Sequence, residues 1–184
     1  RLHGGMSAMK NRQIAVIGAG LMGHGIALCL ARAGQYVAIT DPVAEARAKV
    51  YARITDSLKL LGSSPGDIAK TLKRIEIFDS VAGAVRRADV VFEAAPEKMA
   101  LKQAIFAEIE AHAPETCMLA SNTSVMPITQ IMGGLRLRRI AVERAQQVVD
   151  GAAHTFQLAR DDVLVDVAGD VDGVAAQAAD HAIR

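Results

Sequence analysis

The chain has no tryptophan, and aromatic residues make up only 3% of its 184 residues. Proteins that grip single-stranded nucleic acid stack bases on aromatic rings set in a basic groove, and this composition offers neither. An excess of charge of one sign is lacking too: 21 lysines and arginines face 20 aspartates and glutamates, and the basic residues are spread along the chain. No nucleic-acid partner is expected. Cysteine is scarce, and Cys29 and Cys117 fall in a helical pattern and at a strand entrance. They are expected as packed thiols, not as a disulfide or a metal site, and a reducing cytoplasm fits that usage. No apolar run approaches the roughly 18 residues that a membrane span needs, and the N-terminus lacks the apolar centre of a secretion signal. No membrane partner is expected. Residues 1–9, with Arg1 to Gly5 ahead of Met6 and Met9, read as a leader or flexible terminus.

What the chain does have is a hydrophobic fraction of 51%, enough to give one soluble α/β domain a sizeable core. Its most informative stretch is 13–41. An apolar run from Ile14 to Ile17 feeds into Gly18-Ala19-Gly20-Leu21-Met22-Gly23, and the three glycines have separate tasks. Gly18 permits the tight strand-to-helix turn, Gly20 removes a side chain that would keep a pyrophosphate from the backbone, and Gly23 lets the helix pack close to the strand. Phosphates would rest on the helix N-terminus at Leu21 and Met22, where unpaired N–H groups and the positive dipole end favour an anion. The helix runs over 21–33 to a capping Gly34, and a second strand, Tyr36 to Thr40, delivers Asp41. An acid there accepts hydrogen bonds from ribose hydroxyls and repels a 2′-phosphate, which selects NAD over NADP.

After Pro42, apolar residues at Ala46, Val50, Ile54, Leu58 and Leu61 predict one long helix, closed by a loop over Gly62 to Gly66. Helices over 67–74, 81–87 and 98–113 then alternate with strands over 75–78, 89–93 and 118–121. Such alternation predicts a Rossmann-type, doubly wound, mainly parallel α/β sheet with helices on both faces. Ligands of such sheets bind beyond the carboxyl ends of the strands, which directs attention to Gly18–Gly23, Asp41, Glu93–Glu97 and Ser121–Ser124.

Three segments, IGAGLMGHGIA at 17–27, DVVFEAAPEKMALKQAIFAEIE at 89–110 and ASNTSVMPITQI at 120–131, give residues 14–135 a resemblance to the NAD-binding domain of the L-3-hydroxyacyl-CoA dehydrogenases. The resemblance implies NAD as cofactor, an acyl-CoA as substrate and oxidation of its 3-hydroxyl, as in fatty acid β-oxidation. A dehydrogenase of a small hydroxy acid or a carnitine-like substrate is the nearest competitor, and an NAD-binding module without catalysis is another. Glu97 and Lys102 match an acid and a lysine that lie near the cofactor in the family. Glu97 could instead only favour a helix N-terminus, and Lys102 could be a solvated lysine. Ser124 matches the serine that hydrogen-bonds the reacting oxygen of the substrate, and Asn122 matches a cofactor neighbour. Both also suit a helix N-cap before 127–132. Ser57 matches a serine that touches the coenzyme A moiety, or is an ordinary polar residue on a helix face.

The tail departs from the pattern. The family's base is a histidine in a His-Phe-Phe-Asn-Pro motif soon after the serine, oriented by a glutamate, and no such motif follows Leu135. With an insertion, His154-Thr155-Phe156-Gln157 can be laid on it, with Asp166 in place of the glutamate; His154 is then the candidate base, or else a surface or core histidine. Residues 136–184 otherwise read as a divergent segment or the product of a frame change, with Arg136, Arg138 and Arg139 as a solvated cluster. The resemblance also implies a helical C-terminal domain that covers the active site and makes a dimer. The 184 residues leave it no room, so either the chain is a fragment, the partner domain is a separate polypeptide, or the cleft is open to water, and a homodimer or a separate C-terminal domain is the expected partner.

Overall fold

The computed structural model describes residues 12–135, 140–144, 157–160 and 163–166. Apolar runs that can be buried on both faces become parallel strands. Such runs are β1 (Gln13–Ile17), β2 (Tyr36–Thr40) and β4 (Val90–Glu93), and β3 (Ile75–Phe78), β5 (Met118–Thr123) and β6 (Ile140–Arg144) complete the sheet. Their spatial order is β3-β2-β1-β4-β5-β6 and every pairing is parallel, the doubly wound order with its switch point between β1 and β4. Ile17 pairs with Thr40 on one side and Glu93 on the other, and Glu93 pairs with Ser121. This register brings the segments after β1, β2, β4 and β5 to one sheet edge.

Successive side chains of a strand point to opposite faces, and β1 shows both cores at once. Ile14 and Val16 pack in one cluster with Ile26, Ile54 and Leu58, whereas Ala15 and Ile17 pack in the other with Val91, Phe106 and Ile109. Helix α1 (Leu21–Arg32) covers the first face and ends before Gly34, whose φ of +89° accommodates the reversal into β2.

The long helix expected after Pro42 is two, α2 (Ala44–Ala48) and α3 (Val50–Leu60), interrupted at Lys49. The reason is burial. α2 buries no residue, whereas Val50, Ile54 and Leu58 of α3 are fully enclosed, so the chain bends to bring only the second segment onto the sheet. The loop after it is also shorter than expected, because Pro65 opens α4 (Pro65–Leu72) at its first turn and the Ser64 side chain accepts from the Asp67 N–H at 3.2 Å. Helices α5 (Val81–Val85), α6 (Met99–His112) and α7 (Ile128–Ile131) follow. Beyond the parallel sheet, β7 (Gln157–Arg160) and β8 (Val163–Asp166) form a separate antiparallel pair.

Cys117 is buried as expected, but Cys29 lies exposed on α1. Its thiol is still partly desolvated, which raises its pKa against a smaller lowering by Arg32, so it is not a reactive thiolate. Among the described residues no helix is long and apolar enough to cross a membrane, and no cluster of His, Cys, Asp and Glu could hold a metal.

Candidate active site

The glycine loop has the geometry its three positions require. Gly18 sits at φ +107°, and a Cβ there would lie 2.6 Å from the Ala94 carbonyl oxygen. A Cβ at Gly23 would lie 1.8 Å from the carbonyl oxygen of Gly18, which is the close approach of α1 to the end of β1. At Gly20, by contrast, a Cβ would meet no protein atom within 4 Å. That space is open on the ligand side. Gly20 is the N-cap residue of α1 without a side-chain bond to the helix, and no acid stands in the first turn, so the first N–H groups and the positive dipole end face an approaching anion. A diphosphate fits this loop.

Asp41, expected at the ribose, is also bonded within the protein. One carboxylate oxygen accepts from the Ala19 N–H and the other from the Val43 N–H, both at 2.8 Å. Arg53 of α3 donates to the Ala19 carbonyl at 3.0 Å, so the buried Ala19 is held at both its N–H and its C=O. Asp41 therefore fixes the glycine loop as well as ending β2. A carboxylate has about four acceptor sites, and its two protein donors leave room for two ribose hydroxyls.

Across the same edge the segments after β4 and β5 are tied together. Glu97, exposed before α6, accepts from the Thr123 hydroxyl at 3.0 Å and from the Ser124 N–H at 3.1 Å. It bridges two loops and does not merely sit at a helix start. Asn122 and Thr123 continue β5, which runs past the expected end at Ser121. Ser124 is exposed just beyond it. The N-cap of α7 is Pro127, without a side-chain bond, and the turn is closed by Thr123, whose hydroxyl accepts from the Met126 N–H at 3.1 Å. Neither Ser124 nor Asn122 is spent on capping that helix.

Lys102 is not a solvated lysine. It is fully buried in α6, paired with Glu93 of β4 at 2.8 Å, and its Nζ stands 3.8 Å from Glu97. Glu93 also accepts from the buried Ser121 hydroxyl. Glu93, Ser121 and Thr123 lie in the segments the sequence marks at the sheet's carboxyl edge but had no individual role there, and Arg53 was not marked at all. Ser57, on the side of α3 toward the glycine loop, lines a shallow depression with Gly20, Leu21, His24, Arg53 and Asp56.

Residues 13–144 match the 3-hydroxyacyl-CoA dehydrogenase NAD binding domain family. The chain belongs to this family. Its dinucleotide is NAD, in accord with the acid at Asp41. The match runs through β6 to Arg144, past Leu135 where the sequence resemblance ends. A probable 3-hydroxybutyryl-CoA dehydrogenase of Bacillus subtilis is 37% identical over 127 residues, 67% of this chain and 44% of that protein. An L-carnitine dehydrogenase of Nocardiopsis dassonvillei is 32% identical over 128 residues, 68% of this chain and 38% of that protein. The crystal structure of 3-hydroxybutyryl-CoA dehydrogenase from Escherichia coli superposes with a TM-score of 0.68 at 32% identity, covering 74% of this chain and 30% of that one. The chain thus spans less than half the length of these relatives.

Of the residues expected at the dehydrogenase site, the sheet edge brings together Gly18, Gly20, Gly23, Leu21, Met22 and Asp41 on one side of the switch point. On the other side stand Glu97, Lys102, Asn122 and Ser124. His154 lies outside the described residues. The backbone of Asp166 is described in β8, where it pairs with Gln157 of β7.

Proposed function

We propose that this chain is the dinucleotide-binding part of an enzyme that oxidises the 3-hydroxyl of a 3-hydroxyacyl-CoA to a ketone. The observation that carries the reading is the bridge from Glu97 to Thr123 and Ser124, at the same sheet edge as the glycine loop. When bound, NAD supplies the hydride acceptor. The chain's own residues bind and orient: Gly20 and the first N–H groups of α1 receive the diphosphate, and Asp41 receives the ribose. The hydroxyl of Ser124 can donate to a carbonyl and accept from an alcohol, so it can hold the reacting oxygen in both directions of the reaction. A base must take the alcohol proton, and His154 is the candidate for it.

An acyl-CoA is favoured over a carnitine-like or small hydroxy acid by the depression beside the glycine loop. Arg53 and His24 offer N–H donors there and Ser57 a hydroxyl, groups suited to the phosphates of coenzyme A. The setting would be fatty acid oxidation in the cytoplasm, with a second copy or a separate helical domain closing the site against water.

Calorimetric titration with NAD, followed by an assay of NADH absorbance with 3-hydroxybutyryl-CoA, free 3-hydroxybutyrate and L-carnitine, tests the reading. NAD binding and turnover of the CoA ester alone are expected. Turnover of either free acid instead would reassign the substrate, and NAD binding without turnover of any of them would leave a binding module.

A further inference from the structure

The buried pair of Glu93 and Lys102 has no task in the reaction as described so far. An ammonium has three N–H donors. Those of Lys102 are taken by the two oxygens of Glu93, at 2.8 and 2.9 Å, and by the Ala95 carbonyl at 3.2 Å. Glu93 is equally committed, since it also accepts from the Ala95 N–H at 2.6 Å and from the Ser121 hydroxyl. Neither has a hydrogen-bonding position left for a ligand. A pair of this kind adds little to stability, because the cost of desolvating two charges offsets their attraction; what it supplies is a fixed geometry.

That geometry points outward through Glu97. Its Oε2 lies 3.8 Å from the ammonium of Lys102, while its two oxygens hold the Thr123 hydroxyl and the Ser124 N–H. We infer that Glu93 and Lys102 are positioning residues. The buried pair sets Glu97, and Glu97 sets Ser124, so that the loops after β4 and β5 present one preformed edge to cofactor and substrate. Lys102 bears on the cofactor site through Glu97 and the Ala95 backbone. The inference rests on the NAD reading for its binding measurement, but its first measurement is made without any ligand.

Glu93→Gln keeps the shape of the side chain and removes its charge. Lys102 then turns to Glu97, its remaining charged partner in the cluster, and draws it off the Ser124 N–H. In hydrogen exchange of the free protein, the Ser124 amide should exchange about tenfold faster while amides of β1 and β4 keep their rates, and the Kd for NAD should rise about tenfold. Lys102→Met should do the same. The double variant, with no buried charge, should regain thermal stability without regaining Ser124 protection, which separates positioning from mere support of the fold.

Ser124 exchange within about twofold of the wild type in folded Glu93→Gln would overturn the inference. So would NAD affinity lost only in Lys102→Met with Ser124 still protected, because Lys102 would then be a direct cofactor ligand. Should Glu93→Gln fail to fold, Ser121→Ala decides, since it removes one hydroxyl from Glu93: Ser124 exchange about threefold faster is expected, and an unchanged rate refutes the proposal. A wild-type chain that does not bind NAD would remove the functional reading, while the exchange rates still judge this one.

Discussion

One added methyl group at each of three neighbouring glycines should have three different effects. At Gly23 the new Cβ would stand 1.8 Å from the carbonyl oxygen of Gly18 and 2.8 Å from its carbonyl carbon, where ordinary contacts are 3.4 to 4 Å. Both neighbours are backbone, so no side chain can swing aside. Helix α1 must move off β1 by more than an ångström, opening space around the buried Ile26 and Ala27. Overpacking costs about 1–3 kcal/mol, and the voids left by the shift add to it. The higher helix propensity of alanine returns only about 1 kcal/mol. Gly23→Ala should therefore lose about 3 kcal/mol and bind NAD poorly where still folded.

Gly20→Ala should behave in the opposite way. With φ −69° and ψ −163° the backbone suits alanine, and no protein atom lies within 4 Å of the new methyl. Stability should change by less than about 1 kcal/mol, the range of an N-cap exchange. The methyl fills the approach of the diphosphate, so NAD affinity should fall by about 1–3 kcal/mol, roughly 5- to 150-fold. Gly25→Ala is the control: nothing lies within 4 Å, and a helix interior gains about 0.5–1 kcal/mol from alanine with NAD binding intact. Urea denaturation followed by circular dichroism reads the stabilities, and calorimetry reads the affinities. Unchanged stability in Gly23→Ala would refute the close packing of α1, and an unchanged Kd in Gly20→Ala would refute the diphosphate site.

Asp41→Ala removes both the ribose acceptor and the bond to the Ala19 N–H. NAD should bind about 10-fold more weakly and the preference over NADP should relax, measured by parallel titrations; unchanged NAD affinity would take Asp41 out of the site. Ser124→Ala removes the hydroxyl but keeps the backbone N–H that meets Glu97, so it should cut turnover about 100-fold with little change in the Kd for NAD. Equal turnover would dismiss the serine from the reaction. Phe106 of α6 is fully buried against the sheet, and Phe106→Ala should cost about 3–5 kcal/mol in urea denaturation. A loss below about 1 kcal/mol would mean that α6 is not packed as described.

Parallel strands were legible where burial on both faces leaves an apolar run, as from Val37 to Thr40, while the edge strand Ile75 to Phe78, with Glu76 exposed, is set by its place in the alternation of helices and strands. The glycine loop was legible because Gly18 and Gly23 answer a steric demand of backbone on backbone and Gly20 leaves the approach to the helix N-terminus open. The break at Lys49 was not, since the apolar spacing of Ala46, Val50 and Ile54 runs through it unbroken, and only the sheet decides which part of that stripe is covered. The second task of Asp41 was hidden as well, because a bond to the Ala19 N–H depends on how the loop after β1 leans toward β2.

Lys102 was half legible. Lys102 lies five residues from Glu97, not at the i,i+4 spacing of a helical ion pair, and a lysine on a helix is usually solvated. Yet Lys102, Phe106 and Ile109 stand at i, i+4 and i+7, the stripe that α6 buries. A lysine on an apolar stripe cannot remain charged there alone, so its presence requires a buried acid on whatever the helix covers. Glu93 meets that requirement: it ends the apolar run Val90 to Phe92, on the strand at the sheet's switch point. Charge balance in the core, applied across elements, leads from a lysine in α6 to a glutamate in β4. The same step leads to the edge that carries the glycine loop, because a strand-end acid stands at the carboxyl edge of a parallel sheet, where the ligands of such sheets lie.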